Sequence, residues 1–175
     1  RYESSAASDV YKRQDYMSAK LIGISMSVKP NSAAYIPLGH DYLGAPEQLD
    51  KEIVLNQLRP ILENPHVKKV GQNIKFDMSV FRQHGINLCG ISFDTMLESY
   101  VINSIATRHD MDSLASTYLN LSTTKFTDVA GKGAKKLTFN QIDLDQAAPY
   151  ASEDADITLK LHENLWSKIE DEHTL

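Results

Sequence analysis

Hydrophobic and polar residues alternate over residues 20–28, which predicts a β-strand. Residues 29–32 have the composition of a turn, and residues 33–37 are predicted to be the return strand of a hairpin. Residues 47–62 change to helical periodicity, with apolar positions near one face at Leu49, Ile53, Leu58 and Ile61. This helix is predicted to stop near residues 64–65, where proline enters the chain.

Short strands and helices alternate in the rest of the chain. The pattern predicts strands at 67–70 and 91–93, helices at 76–84, 94–103 and 110–119, a loop-rich stretch at 121–140, and a last helix from Asp143 or Pro149 to about residue 169. A strand hairpin followed by alternating helices and strands predicts an α/β domain with a mixed sheet flanked by helices.

Residues 1–14 show neither strand alternation nor helical periodicity. Residues 5–14 resemble a translated sequencing adapter, so we interpret residues 1–14 as a non-native leader and expect them to be unpacked. The folded domain is then predicted to span residues 15–170. Residues 171–175 are predicted to begin a linker.

Composition limits the class of protein. The chain has 175 residues, 42% of them hydrophobic, which suits one domain with a real core. No apolar run approaches the ~20 residues of a membrane span. Cys89 is the single cysteine, which excludes a disulfide framework and is consistent with a reducing, cytoplasmic setting. The protein is expected to be a monomer. A net charge of −5 argues against a protein that coats duplex DNA, so nucleic acid would be bound locally, at a strand end, with metal ions bridging the repulsion.

Candidate chemistry appears first in the last helix. Tyr150 and Asp154 are four residues apart and share a helical face, which continues through Ile157, Leu161 and Leu165. A carboxylate on an apolar face needs a compensating partner, and a metal ion is one such partner. The alternative is that Asp154 is one of several acids favoured near a helix start, an interpretation that Pro149 supports.

A second carboxylate follows the predicted strand 67–70. Asp77 lies near the start of a helix beside the apolar positions Val80 and Phe81, although it too could simply oppose the helix dipole. Two inward-facing aspartates indicate a shared site for Mg²⁺ or Mn²⁺. Two such ions ~3.5–4 Å apart are a recurrent device for phosphodiester hydrolysis. Tyr150 could orient the attacking water.

Several longer segments carry a family resemblance; they are residues 70–77, 93–100, 108–114, 130–133, 137–142 and 150–156. Together they resemble the 3′–5′ exonuclease (proofreading) domain of bacterial DNA polymerase I, from about residue 15 to the C-terminus. The resemblance implies a ribonuclease-H-like fold, the tyrosine subtype of the DEDD exonucleases, and a polymerase attached in the parent protein. Its substrate would be a single-stranded DNA 3′ end.

The resemblance also implies roles for individual residues. Asp77 and Asp154 match two of the four metal-binding acids, and Tyr150 matches the catalytic tyrosine. Residues that match contacts to the DNA end are Gln72, Asn73, Phe76 and Arg108. Phe126 matches an aromatic residue that packs against a terminal nucleotide, as aromatic faces do in single-strand binding.

The chain departs from the family at the first motif, an Asp-x-Glu pair on the first strand. Glu3, Asp9 and Asp15 are the only acids before Lys20, and none forms that pair. Asp94 opens a superficially similar stretch but is better explained as a helix N-cap. We therefore expect a truncated domain whose first strand is missing. Little activity is expected, because two carboxylates cannot hold two ions in the geometry required.

Three further interpretations stay open from the sequence. The domain could be a non-catalytic exonuclease-like module that braces a polymerase, or it could be a ribonuclease D-like RNA exonuclease. The basic loop either contacts phosphate or is simply solvated; its lysines are Lys132, Lys135 and Lys136. The histidines show no metal-ligand spacing and are predicted to be surface or packing residues; they include His40, His66, His84 and His109.

Overall fold

The computed structural model describes residues 2–7, 20–105 and 108–173. Within these ranges, five strands form one mixed sheet in the order β3-β2-β1-β4-β5. The strands are β1 Tyr2–Ala7, β2 Gly23–Lys29, β3 Ser32–Pro37, β4 Lys68–Gly71 and β5 Ile91–Asp94. The hairpin strands pair antiparallel, as does β1 with β2, whereas β1, β4 and β5 run parallel. The predicted α/β class with a mixed sheet is confirmed.

Strand β1 corrects the prediction that the start of the chain is unpacked and that the first strand is missing. It lies in the middle of the sheet, with Ala6 opposite Ser25 of β2 and Ser4 opposite Val70 of β4. The prediction rested on side-chain alternation, but a central strand is also held by backbone hydrogen bonds to both neighbours. Residues 8–14, the rest of the adapter-like stretch, lie outside the described residues, and the domain boundary at residue 15 stays a prediction.

Six α-helices accompany the sheet in the described ranges; they are α1 Lys51–Leu62, α2 Ile74–Gln83, α3 Thr95–Ile102, α4 Met111–Leu114, α5 Phe126–Ala130 and α6 Leu144–His173. A π-helical turn, Ala115–Leu119, extends α4. Helix α6 begins at the earlier of its two predicted starts, with Pro149 inside it, and continues into the predicted linker. Among the described helices, none combines the length and the apolarity that a membrane span needs.

The two faces of the sheet carry different layers. Ile24 and Met26 of β2 pack with α1 and α2 in one core. The alternate β2 residues Ser25 and Ser27 are buried on the opposite face, where α6 packs on β2 and β3. Small side chains on both surfaces permit this close approach; those of α6 are Ala147, Ala151 and Ala155. Gly23 makes room for the side chain of Tyr35 on the neighbouring strand β3, because a Cβ there would lie 2.2 Å from the Tyr35 hydroxyl oxygen.

The buried face of α1 differs from the prediction. Leu49 and Ile53 are 64% and 60% exposed, and the buried residues are Val54, Leu55 and Leu62. The helix starts at Lys51, behind an Asp50 cap, so Leu49 precedes it and does not share its periodicity. The predicted apolar face is therefore wrong at Leu49 and Ile53, whereas Leu58 packs against the core as predicted.

Candidate active site

The carboxyl ends of β1 and β4 meet at one edge of the sheet because the two strands are parallel. Helix α2 leaves this edge directly after β4, and both α2 and α6 contact β1. The helix that carries Asp77 and the helix that carries Tyr150 and Asp154 therefore flank the same central strand. Open α/β sheets commonly bind ligands at such an edge.

Asp77 lies in the first turn of α2 and is 7% exposed. It shares the buried face of that helix with Ile74, Val80 and Phe81, as the spacing predicts. The turn into α2 is tight, because a Cβ on Gly71 would lie 2.8 Å from the Cβ of Ile74. A glycine at the end of β4 thus lets α2 start beside the sheet and brings the Asp77 carboxylate inward.

Tyr150 lies at the same edge of the sheet, on the face opposite α2. It is 8% exposed and packs with Ile22, the residue that precedes β2 and so lies near the carboxyl end of β1. Six residues later, Asp156 accepts a hydrogen bond of 2.6 Å from the backbone N–H of Asn31. Asn31 lies in the turn between β2 and β3, at the opposite ends of the strands. Helix α6 therefore crosses the sheet, starting at the carboxyl ends of β1 and β4, where α2 begins.

Asp154 lies one turn after Tyr150 and is half-buried. Its backbone carbonyl accepts a hydrogen bond of 2.8 Å from the Thr158 hydroxyl. The face predicted to continue from it is buried throughout; its members are Ile157, Leu161 and Leu165. Asp154 is thus at the margin of the buried stripe, less enclosed than Asp77.

An aromatic cluster, formed by Phe126, Phe139 and Tyr150, adjoins the tyrosine. The Tyr150 ring centroid lies 5.9 Å from that of Phe126 and 6.2 Å from that of Phe139. The ammonium of Lys136, from the basic loop, lies 5.1 Å from the centre of the half-buried Phe126 ring. The Phe126 ring therefore lies next to both Tyr150 and a cation, which is a combination suited to a nucleotide.

Four residues match DNA contacts in the family resemblance, and they differ in exposure and in hydrogen bonding; they are Gln72, Asn73, Phe76 and Arg108. Phe76 is half-buried and packs against the α2 core, and Asn73 is exposed at a left-handed position that makes no side-chain cap. The Gln72 amide donates to the His109 carbonyl oxygen at 2.9 Å and accepts from the Thr95 hydroxyl. The Arg108 side chain is 88% exposed. Of these four, Asn73 and Arg108 are exposed to a ligand.

Arg108 is electrostatically linked to Asp110, with its Nε 3.2 Å from the carboxylate. Partial burial raises the pKa of Asp110, but hydrogen bonds from the Ser113 N–H and hydroxyl, together with the Arg108 charge, outweigh this and leave the pKa below its ordinary value. Asp110 is therefore ionised at neutral pH and caps α4.

Three polar contacts near the site were not anticipated from the sequence. Asp94 caps α3, as expected, but also accepts hydrogen bonds from the α2 start. Glu98 and His162 form a buried pair 2.8 Å apart. His109, predicted to be a surface or packing residue, is bound through its carbonyl by Gln72. The sequence signal that could have indicated the buried pair is that two polar residues, Glu98 and His162, lie at inward helical positions.

The chemistry of Asp77 and Asp154 suits a hard divalent cation, since both supply carboxylate oxygens. The fit is incomplete, because the described residues contain no group of three or more His, Cys, Asp or Glu side chains placed to hold a metal ion. Whether Asp77 and Asp154 bind a metal ion therefore stays a prediction.

The sequence from residue 11 to residue 170 matches the 3′–5′ exonuclease family. The chain belongs to that family. It is 56% identical over 158 residues to DNA polymerase I of Pseudomonas aeruginosa, an alignment that covers 89% of the chain and 17% of the relative. This 3′–5′ exonuclease domain therefore spans about one sixth of the length of that polymerase.

Two solved structures share the fold of this exonuclease domain. Pol1 of M. smegmatis, described as its POL domain in complex with DNA primer-template and dNTP, superposes with a TM-score of 0.67 at 17% identity, covering 97% of this chain and 24% of that one. Brucella melitensis NrnC with bound Mg²⁺ gives 0.66 at 15% identity, covering 98% and 75%. The ribonuclease-H-like fold expected from the sequence is thereby confirmed.

Proposed function

We propose that this exonuclease domain hydrolyses phosphodiesters at single-stranded DNA 3′ ends, as the proofreading part of a DNA polymerase I-like protein. The observation that carries the proposal is that α2, with Asp77, and α6, with Tyr150 and Asp154, flank the central strand β1. In the family pattern the missing Asp-x-Glu pair belongs on the first strand, between these two helices. Both remaining acids therefore lie on helices that contact the strand to which the pair belongs.

Asp77 and Asp154 would each contribute ligands to a pair of Mg²⁺ or Mn²⁺ ions. Such ions, when bound, supply an activated water and stabilise the attacking and leaving oxygens. The Tyr150 hydroxyl would orient the water, with the ring held in place by Phe126 and Phe139. NrnC, with the same fold, is known with Mg²⁺ bound, which supports the metal type but not the number of ions.

The DNA end would lie between the aromatic cluster and the start of α2. Phe126 would stack on the terminal base, while Arg108, Asn73 and Phe76 would contact the strand nearby. Gln72, whose amide is engaged within the protein, would lie beside the strand. A protein with a net charge of −5 would depend on such local contacts.

A non-catalytic role in bracing a polymerase is the second candidate. It is favoured by the sequence of β1, Tyr2–Ala7, which lacks Asp-x-Glu, and by the absence of a three-ligand group in the described part of the chain. The retained Asp77, Tyr150 and Asp154 argue against it, since a purely structural domain has no need of inward carboxylates.

A degradation assay on 5′-labelled single-stranded DNA with Mg²⁺ or Mn²⁺ separates the two candidates. The unaltered chain is compared with a restored chain, in which a family-type first strand bearing Asp-x-Glu replaces the residues before Asp15, and with the restored chain carrying Asp154→Ala. We expect 3′ degradation only in the restored chain. Activity that survives Asp154→Ala would reject the proposed site, and a folded but silent restored chain would support the bracing role.

A further inference from the structure

Both ends of the Gln72 side-chain amide are bound inside the protein. Its Nε2 donates to the His109 carbonyl oxygen at 2.9 Å, and its Oε1 accepts a hydrogen bond from the Thr95 hydroxyl. The orientation of the amide is fixed, because a carbonyl can only accept and must therefore face the NH₂ group. Thr95 is fully buried and lies 3.3 Å from the Gly71 carbonyl oxygen as well, so this anchor belongs to the end of β4.

The side chain of His109 is held by α3 and the residues after it. Its Nδ1 lies 2.8 Å from the Ser99 hydroxyl oxygen, and its Nε2 lies 3.2 Å from the Ser104 carbonyl oxygen. The Tyr100 ring stacks on the imidazole, with centroids 3.6 Å apart and planes 27° apart. His109 is thus bound through its ring by one segment and through its backbone carbonyl by Gln72.

Arg108 directly precedes this anchored residue. Its guanidinium is exposed, and its Nε pairs with Asp110, which is itself fixed as the α4 cap by Ser113. Arg108 also lines a cavity of about 650 Å³ whose wall is rich in hydroxyl groups; its lining includes Ser113, Ser116, Thr117 and Lys125, together with one carboxylate, Asp112, which accepts a hydrogen bond from the Thr123 hydroxyl. Hydroxyls and two cations along an open cavity are suited to a phosphate backbone.

We propose that Gln72 is a positioning residue that acts through Arg108. By holding the His109 carbonyl against the β4–α2 junction, it fixes the backbone from which Arg108 presents its guanidinium to the phosphates of a single strand. The same junction carries Asp77, so the phosphate contact and the candidate catalytic carboxylate keep a constant spacing. This inference rests on the proposed function for the identity of the ligand, and it gives Gln72 a role other than the direct DNA contact that the family resemblance implies.

The hydrogen bond from Gln72 to the His109 carbonyl, which we call the tether, can be tested without DNA. Trypsin cleaves after Arg108 only when the local backbone opens, so the cleavage rate reports the open population. We expect Gln72→Ala and Thr95→Val to raise that rate roughly fivefold, the effect of one lost hydrogen bond, relative to cleavage after the exposed Lys132. Thr95→Ser keeps the hydroxyl and should restore the original rate. Gln141→Ala, at an exposed amide elsewhere, is the matched control. An unchanged rate in Gln72→Ala would overturn the tether.

The action through Arg108 is tested by a double-mutant cycle on the affinity of the unaltered chain for a short 5′-labelled oligothymidylate. We expect Arg108→Ala to weaken binding about tenfold and Gln72→Ala about threefold, with the double variant no weaker than Arg108→Ala. If the double variant instead binds the oligothymidylate about thirtyfold more weakly, which is the product of the two single effects, Gln72 contacts the strand itself. That result would overturn the proposal. If neither the unaltered chain nor the restored chain binds the oligonucleotide, the strand is not the ligand and the proposed function fails, while the trypsin rates still decide whether the tether exists.

Discussion

Asp94 accepts a hydrogen bond of 3.1 Å from the backbone N–H of Asn73, twenty-one residues before it. The same carboxylate accepts from the N–H groups of Ile74 at 3.0 Å and Met96 at 2.9 Å. One side chain therefore satisfies the otherwise unpaired donors at the starts of two helices, α2 and α3. Asn73 occupies the cap position of α2 but makes no side-chain cap, so Asp94 replaces it.

Loss of this shared cap should be costly. Asp94→Ala is expected to lower the free energy of unfolding by about 2–3 kcal/mol, because it removes a charged acceptor from several N–H groups at once. Asp50→Ala is the matched control: Asp50 caps α1 through one hydrogen bond, from Ile53 N–H at 3.0 Å, and its loss should cost about 1 kcal/mol. Urea unfolding of both variants makes the comparison. Equal losses would contradict the double role of Asp94.

These contacts show which parts of the fold and of the candidate site were predictable from the sequence. The cap on α3 was predictable because Asp94 immediately precedes the helix, whereas the contact to Asn73 depends on β4 and β5 lying side by side. The inward positions of Asp77 and Tyr150 followed from helical spacing. Strand β1 was not predicted because its pairing is made by the backbone, and the hydrogen bond from Gln72 to the His109 carbonyl was not predictable because nothing local in the sequence indicates it.

The buried pair of Glu98 and His162 joins α3 to α6. The two side chains are 5% and 2% exposed, and the second Glu98 oxygen has no hydrogen-bond partner among the described residues. His162→Phe should lower the free energy of unfolding by about 3–5 kcal/mol, since it leaves a buried carboxylate without its partner. The double variant Glu98→Leu/His162→Phe should recover much of this loss in urea unfolding. A double variant as unstable as His162→Phe would mean that packing, not charge, sets the cost.

Histidine burial should make stability fall in mild acid. Desolvation by burial is the main cause that lowers the pKa of His40 and of His84 below 6.5; for His84 the charge of Lys51 adds to it. The unfolded state then binds protons that the folded state does not, so the stability is constant above the ordinary pKa and declines as the pH falls through and below it. Urea midpoints measured across that range should fall for the unaltered chain and fall less for His40→Gln. His66→Gln, at an exposed histidine, is the matched control for the substitution itself.

Tyr150 offers the sharpest separation of chemistry from packing at the candidate site. Tyr150→Phe keeps the ring that packs against Phe126 and Phe139 and removes only the hydroxyl. In the restored chain bearing Asp-x-Glu, we expect the rate of 3′ degradation to fall about a hundredfold, the usual scale for losing a positioned proton-transfer or water-orienting group. The free energy of unfolding should fall by no more than the loss of one hydrogen bond, about 1 kcal/mol. Tyr118→Phe, in the separate cluster around Leu114 and Leu161, should affect neither quantity. If Tyr150→Phe retains the full rate while Asp154→Ala abolishes it, the role of Tyr150 is confined to holding the aromatic cluster.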